Sequence, residues 1–184
     1  MNLEKYLESK RKIVEKALGS YIPTPKQKPQ ILSQALRYAV LGGGKRLRPI
    51  LAIAASEQVN GKTQRVLPAA CAIELLHTFS LIHDDFPCID NDDLRRGKPT
   101  LHRIYGEGMA VLAGDALMAL AFQLLTQTGN LQVISEVAQA IGRQGMIGGQ
   151  IADLEAEGKK IKLNELEFIH RNKTAALIKA AIRT

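Results

Sequence analysis

An all-α domain is the fold class predicted by three features of this sequence. Hydrophobic residues make up 46% of its 184 positions and are carried by Ala, Leu and Ile, with aromatics at 4% and no Trp. That palette suits packed helices better than a sheet rich in aromatic and β-branched residues. Apolar positions recur at helical spacing from end to end, and the breaks between them carry Gly or Pro. A mean hydropathy of -0.06 with 23% charged residues is ordinary for a globular chain and unlike a disordered one. The length fits one domain, residues 1–184, with no repeat, low-complexity tract or linker inside it.

The elements follow in order. An amphipathic helix opens at Leu3 and runs to about Gly19, and YIPTPKQKP, with three prolines, marks a loop. A second helix covers Ile31 to Leu41 and stops at Gly42–Gly44. Pro49 suits the first position of the next, which runs over ILAIAASEQV and ends at Asn60-Gly61. Pro68 opens another by the same logic. That helix, Ala69 to Asp85, is apolar nearly all round apart from Glu74, His77, Thr78, Ser80 and His83, so it belongs in the middle of a bundle. Met109 to Leu125 is the most apolar stretch, but Asp115 and Gln123 interrupt it, so it reads as a buried helix and not a membrane span. Asn164 with Glu167 resembles a capping box and starts a last helix through Phe168, Ile169, Ala176 and Ile178. Its pattern is still running at Thr184, which reads as a chain cut inside an element.

Charge and cysteines narrow the function. The balance of 25 basic against 18 acidic residues gives +7 and a pI near 9.5, which favours an anionic partner. Stacking aromatics are scarce and the bases are dispersed, so phosphate on a small molecule fits better than nucleic acid. Cys71 and Cys88 form no CxxC and no second pair, which signals neither zinc nor a disulfide framework and fits a reducing compartment. The start, MNLEKYLESKRK, is too charged for a secretory leader, which places the chain in the cytoplasm by default.

The strongest cluster is HDDFPCIDNDDLRRGKP, residues 83–99, with Asp84, Asp85, Asp90, Asp92 and Asp93 at the end of an apolar helix. Crowded carboxylates raise one another's pKa, and a hard cation such as Mg²⁺ relieves them. A spacing of six would leave Asp84 and Asp90 about 120° from facing on a straight helix. Pro87 resolves this by ending the helix and letting the chain loop back. The second cluster is GGGKRLRP, residues 42–49, where glycines allow close backbone approach to an anion and Lys45, Arg46 and Arg48 supply charge. It is not a Walker A loop, because Arg46 follows Lys45 where Ser or Thr is required. With Arg95 and Arg96 as another basic group, the residues point to Mg²⁺-dependent chemistry on phosphorylated substrates in a helical bundle.

These blocks, with LAGDAL at 112–117, MIGGQIADL at 146–154 and NKTAALI at 172–178, closely resemble those of the trans-isoprenyl diphosphate synthases, the short-chain farnesyl and geranylgeranyl diphosphate synthases especially. The resemblance covers nearly everything from Leu36 onward and keeps the family's order. It implies an isoprenoid-synthase helical bundle around a central cavity, a homodimer, and head-to-tail transfer from an allylic diphosphate (dimethylallyl, geranyl or farnesyl) to isopentenyl diphosphate. By the same resemblance Asp84, Asp85 and Asp90 match the first aspartate-rich motif and would hold Mg²⁺, while Lys45, Arg48, His77 and Arg96 match the isopentenyl diphosphate site. Arg95, Lys173 and Thr174 match the allylic diphosphate side, and Gln150 and Asp153 fall in the GQxxD block. Phe79 and Ser80, one turn before Asp84, would set the cavity floor, and an aromatic there goes with the shorter C15 product over C20.

One departure stands out. The family's second aspartate-rich motif, DDxxD, does not occur between Asp93 and Thr184. The expectation is therefore the N-terminal part of such an enzyme, inactive alone. The competing readings are a non-catalytic partner subunit or diphosphate-binding scaffold, and a basic nucleic-acid binder.

Overall fold

A computed structural model describes residues 2–59 and 61–184. The helices are α1 (Leu3–Tyr21), α2 (Gln30–Leu41), α3 (Leu47–Gln58), α4 (Thr63–Asp84), α5 (Leu101–Tyr105), α6 (Glu107–Thr126), α7 (Leu131–Ile141), α8 (Met146–Ala156), α9 (Leu163–Ile169) and α10 (Ala176–Arg183). A two-residue antiparallel ribbon, β1 (Leu94–Arg95) with β2 (Lys98–Pro99), and a π-helical turn, His170–Ala175, complete the described elements.

α4 is the central helix, touching α1, α2, α3, α6 and α10. It buries residues on every side, Ile73, Leu75 and Leu76 completely, which is the outcome its all-round apolar sequence predicts. Around it close Val14 and Leu18 of α1, Ile53 of α3, Leu117 and Leu125 of α6, Val137 of α7 and Leu177 of α10.

Several boundaries differ from expectation for definable reasons. α3 begins at Leu47, so Pro49 is its third residue; its missing N–H still falls in the first turn, where no intrahelical partner exists. Asn60, half of the expected stop, lies outside the described residues; the Gly61 N–H closes the end of α3 on the Ser56 carbonyl at 2.7 Å. α4 starts at Thr63, five residues before Pro68, which lies inside the helix. There its absent N–H forfeits only the bond to the carbonyl of Gln64, close to the end. α6 is one-sided and not wholly buried: Ala110, Ala113, Leu117, Ala121 and Leu124 face inward while Val111 and Leu112 are exposed. By length and composition alone α4 and α6 are each apolar enough to cross a bilayer, a property that core helices share. The last helix is set by Glu165, whose carboxylate accepts from the Lys162 N–H at 2.7 Å, and not by Asn164 with Glu167. The π-turn then interrupts its course.

Candidate active site

The site forms where α4 ends. Asp84 is its last residue and Asp85 its cap. Past Pro87 the chain folds back: the Ile89 and Asn91 N–H groups donate to the Phe86 carbonyl at 2.9 and 3.0 Å, and the Asp90 N–H donates to the Asp84 carbonyl at 2.9 Å. The loop thus returns Asp90 beside Asp84, as Pro87 requires. Burial pushes the Asp84 carboxyl up to about 6; Lys173 opposes this and the neighbouring Asp90 charge adds to it.

Asp85 behaves differently, because adjacent helical residues point about 100° apart. Its carboxylate is buried and accepts from Arg95 Nε at 2.8 Å and from the Arg95 terminal nitrogen, which also donates to Asp92 at 3.0 Å. It lines a small separate cavity of about 60 Å³ under the ribbon. Of Asp84, Asp85 and Asp90, the three aspartates expected to hold Mg²⁺, Asp85 is thus the one engaged by Arg95. Asp84 and Asp90 remain as a pair of hard oxygen donors, free of the ion pairs found among the described residues. A crowded pair of this kind, one member held well above its ordinary value, fits Mg²⁺.

Beside Asp84 opens an apolar cavity of about 360 Å³ between α4, α8 and the π-turn. Phe79, Ser80, Leu81 and Ile89 line one side, and Met146, Ile147, Gln150, Ile151 and Leu154 of α8 the other, with Lys173 and Thr174 above. Phe79 is buried with its ring edge-on to His83 at 4.7 Å, so the expected floor residues do face the cavity. Lys173 is ion-paired to Asp153 across the gap. Neither amide atom of Gln150 has a partner although both are buried, and such atoms in a cavity wall are unsatisfied until something polar enters.

The second pocket, about 530 Å³, is basic and is lined by Gly44, Lys45, Arg46, Arg48, Glu74, His77 and Arg96. Arg48 and His77 line both cavities and form the common wall. Burial, reinforced by the charges of Arg48, Arg96, Arg46 and Arg95, drives His77 down to about 3, so it is a neutral imidazole at pH 7. Arg96, in a left-handed conformation (φ 55°) at the ribbon tip, donates to the Gly43 carbonyl and packs on Gly44. A Cβ at Gly44 would come within 2.6 Å of the Arg96 guanidinium, and its φ of +138° also excludes other residues. Lys45 is exposed at the rim. Arg46, which sequence reading counted among the anion-facing bases, is buried on Glu74 at 2.7 Å and on the Val40 carbonyl at 2.6 Å.

Three features escaped the sequence reading. The apolar wall of α8, from Met146 to Leu154, is visible only once α8 is seen to face α4. The π-turn has no sequence signature, although such turns cluster at functional sites and this one carries Lys173 and Thr174. Gly149 is what lets α8 meet it: a Cβ there would lie 2.1 Å from the Lys173 backbone nitrogen.

A helical bundle that sets a basic pocket against an apolar cavity across Arg48 and His77, with Asp84 in the lining of the cavity, is the isoprenoid-synthase class of fold. The chain belongs to the polyprenyl synthetase family, whose model matches residues 29–184. It is 49% identical to heterodimeric geranylgeranyl pyrophosphate synthase large subunit 1, chloroplastic, of Arabidopsis thaliana, over 96% of this chain and 50% of the plant protein. Against farnesyl diphosphate synthase of Geobacillus stearothermophilus the identity is 45%, over 99% of this chain and 64% of that one. Among solved structures, an FPP/GFPP synthase from Zymomonas mobilis superposes with a TM-score of 0.92 at 41% identity, over 98% of this chain and 68% of the other. The chain spans about half to two thirds of the length of these relatives.

Proposed function

We propose that this chain is the substrate-gathering part of a short-chain trans-prenyl diphosphate synthase, which joins an allylic diphosphate to isopentenyl diphosphate head to tail. The observation that carries the reading is the shared wall: Arg48 and His77 border both the basic pocket and the apolar cavity, so an anion in one lies next to a hydrocarbon tail in the other. Lys45, Arg48 and Arg96 hold the isopentenyl diphosphate, with Arg able to grip two phosphate oxygens. Neutral His77 lines that pocket without adding charge. Asp84 and Asp90 would hold Mg²⁺, which supplies positive charge for the allylic diphosphate as its C–O bond ionises. Lys173 lies close enough to Asp84 to lower its pKa, and from there it and Thr174 reach the same diphosphate. Asp85 acts indirectly by fixing the Arg95 guanidinium. The orphan amide of Gln150 points to a polar or charged group of the substrate within the cavity. Phe79, Leu81, Ile147 and Ile151 keep water from the allylic cation, and the nearby ring of Phe79 favours farnesyl over geranylgeranyl diphosphate as product. Homodimer assembly and action in the cytoplasm belong to this reading, although several relatives are named as chloroplastic.

Calorimetric titration of isopentenyl diphosphate and geranyl diphosphate, with and without Mg²⁺, tests it. The former should bind without metal and the latter only with it; binding of DNA instead would overturn the reading. Residues 1–184 alone should make no prenyl diphosphate, whereas a longer chain carrying a DDxxD motif should. The second reading, a partner subunit that does not turn over by itself, draws on the relative named as a heterodimer's large subunit. Turnover by a mixture with a second synthase subunit, and by neither alone, would support it.

A further inference from the structure

Arg46 lies in the basic stretch between Lys45 and Arg48, yet its side chain is almost wholly buried, as is that of Glu74. The guanidinium donates to the Glu74 carboxylate at 2.7 Å and to the Val40 carbonyl at 2.6 Å, and its Nε lies 4.0 Å from the Glu15 carboxylate. These contacts join four pieces of the bundle at one point: α1, the end of α2, the start of α3 and the middle of α4. Glu74 stands three residues before His77, on the same face one turn away. Arg46 itself is left-handed, φ 54°, and is the residue from which α3 starts; such a conformation is unfavourable for a non-glycine residue and persists only where its surroundings impose it.

A buried ion pair is a poor way to gain stability, because apolar side chains of similar volume often do as well or better. What the pair supplies is one fixed geometry. The fork has two separate acceptors, on α4 and on the last turn of α2, and so anchors the backbone between Lys45, one residue before it, and Arg48, two residues after it. Arg46 and Glu74 form the inner wall of the basic pocket, and the remaining lining is Gly44, Lys45, Leu47, Arg48, His77 and Arg96. We propose that the buried Arg46–Glu74 pair, tied to the Val40 carbonyl, is a positioning device that fixes Lys45 and Arg48 for a diphosphate without binding the anion itself. This rests on the reading of that pocket as a diphosphate site.

The test separates positioning from stability. Binding of inorganic diphosphate and of isopentenyl diphosphate to the 184-residue chain is measured by calorimetry, alongside thermal unfolding, for the parent, Arg46→Lys, Arg46→Met, Arg46→Met/Glu74→Leu and the remote core truncation Val137→Ala. Arg46→Lys loses the fork and should weaken binding by about tenfold. The double variant should regain thermal stability relative to Arg46→Met alone while its affinity stays low. Val137→Ala should lose stability and keep its affinity. In a Lys45→Ala, Arg48→Ala background, Arg46→Lys should cost nothing further. Affinity that recovers with stability in the double variant, or that falls equally in Val137→Ala, overturns the positioning role and leaves the pocket assignment standing. A parent chain that binds neither anion overturns both.

Discussion

Replacing Asp84 by Asn removes a charge that the fold itself holds at a cost. Burial raises this carboxyl from its ordinary 3.8 to about 6, so in metal-free protein the native state binds more protons than the unfolded chain between these values, and ionisation destabilises the fold as pH rises through that window. At 1.36 kcal/mol per pKa unit the ceiling is about 3 kcal/mol. Asp84 is only partly buried, and screening by water brings the expected figure to about 1–2 kcal/mol. Below about pH 3, where the carboxyl is largely neutral in both states, parent and Asp84→Asn should unfold alike in urea with a chelator present. By pH 7 the variant should be more stable by that amount, with a melting point about 3–6 °C higher. His77 has the opposite sign: its folded pKa of about 3 lies below the unfolded 6.5, so stability is lost as pH falls through that range. This contribution is common to both proteins and cancels in the difference. Adding Mg²⁺ should stabilise the parent and not the variant, narrowing the gap. A difference that is flat in pH, or a variant less stable at pH 7, would refute the account of Asp84 as a strained, metal-seeking carboxylate.

Phe79→Ala should open the cavity floor and shift the products of a complete enzyme toward C20 or longer, read by chromatography after dephosphorylation, at a stability cost of about 3 kcal/mol. Lys45→Ala or Arg48→Ala should raise KM for isopentenyl diphosphate more than they lower kcat in steady-state assays. Gly149→Ala should push α8 off the π-turn, since the added methyl would meet the Lys173 backbone at 2.1 Å. That variant should lose geranyl diphosphate binding while keeping inorganic diphosphate in the basic pocket, as titration would show.

The sequence by itself determined the helical class, the central place of α4 and the loop that returns Asp90 to Asp84. Each depends on local chemistry: an all-round apolar pattern has nowhere to go but the core, and Pro87 cannot continue a helix. The basic and acidic blocks were legible for the same reason, since charge and glycine mark themselves along the chain. Helix starts were read less well, because Pro49 and Pro68 are tolerated within the first two turns, where few hydrogen bonds are lost. Only the tertiary structure decided how the charged side chains divide their work. Asp85 and Arg46 are indistinguishable in sequence from their neighbours Asp84 and Lys45, yet one turns to Arg95 and the other to Glu74. Which way a side chain points, and whether a partner from ten or twenty-eight positions away is waiting there, is a property of packed helices and not of spacing along one of them. The cavity is likewise tertiary: α8 and the π-turn make its second wall because Gly149 allows them to touch, and a glycine in a helix does not announce what will press against it.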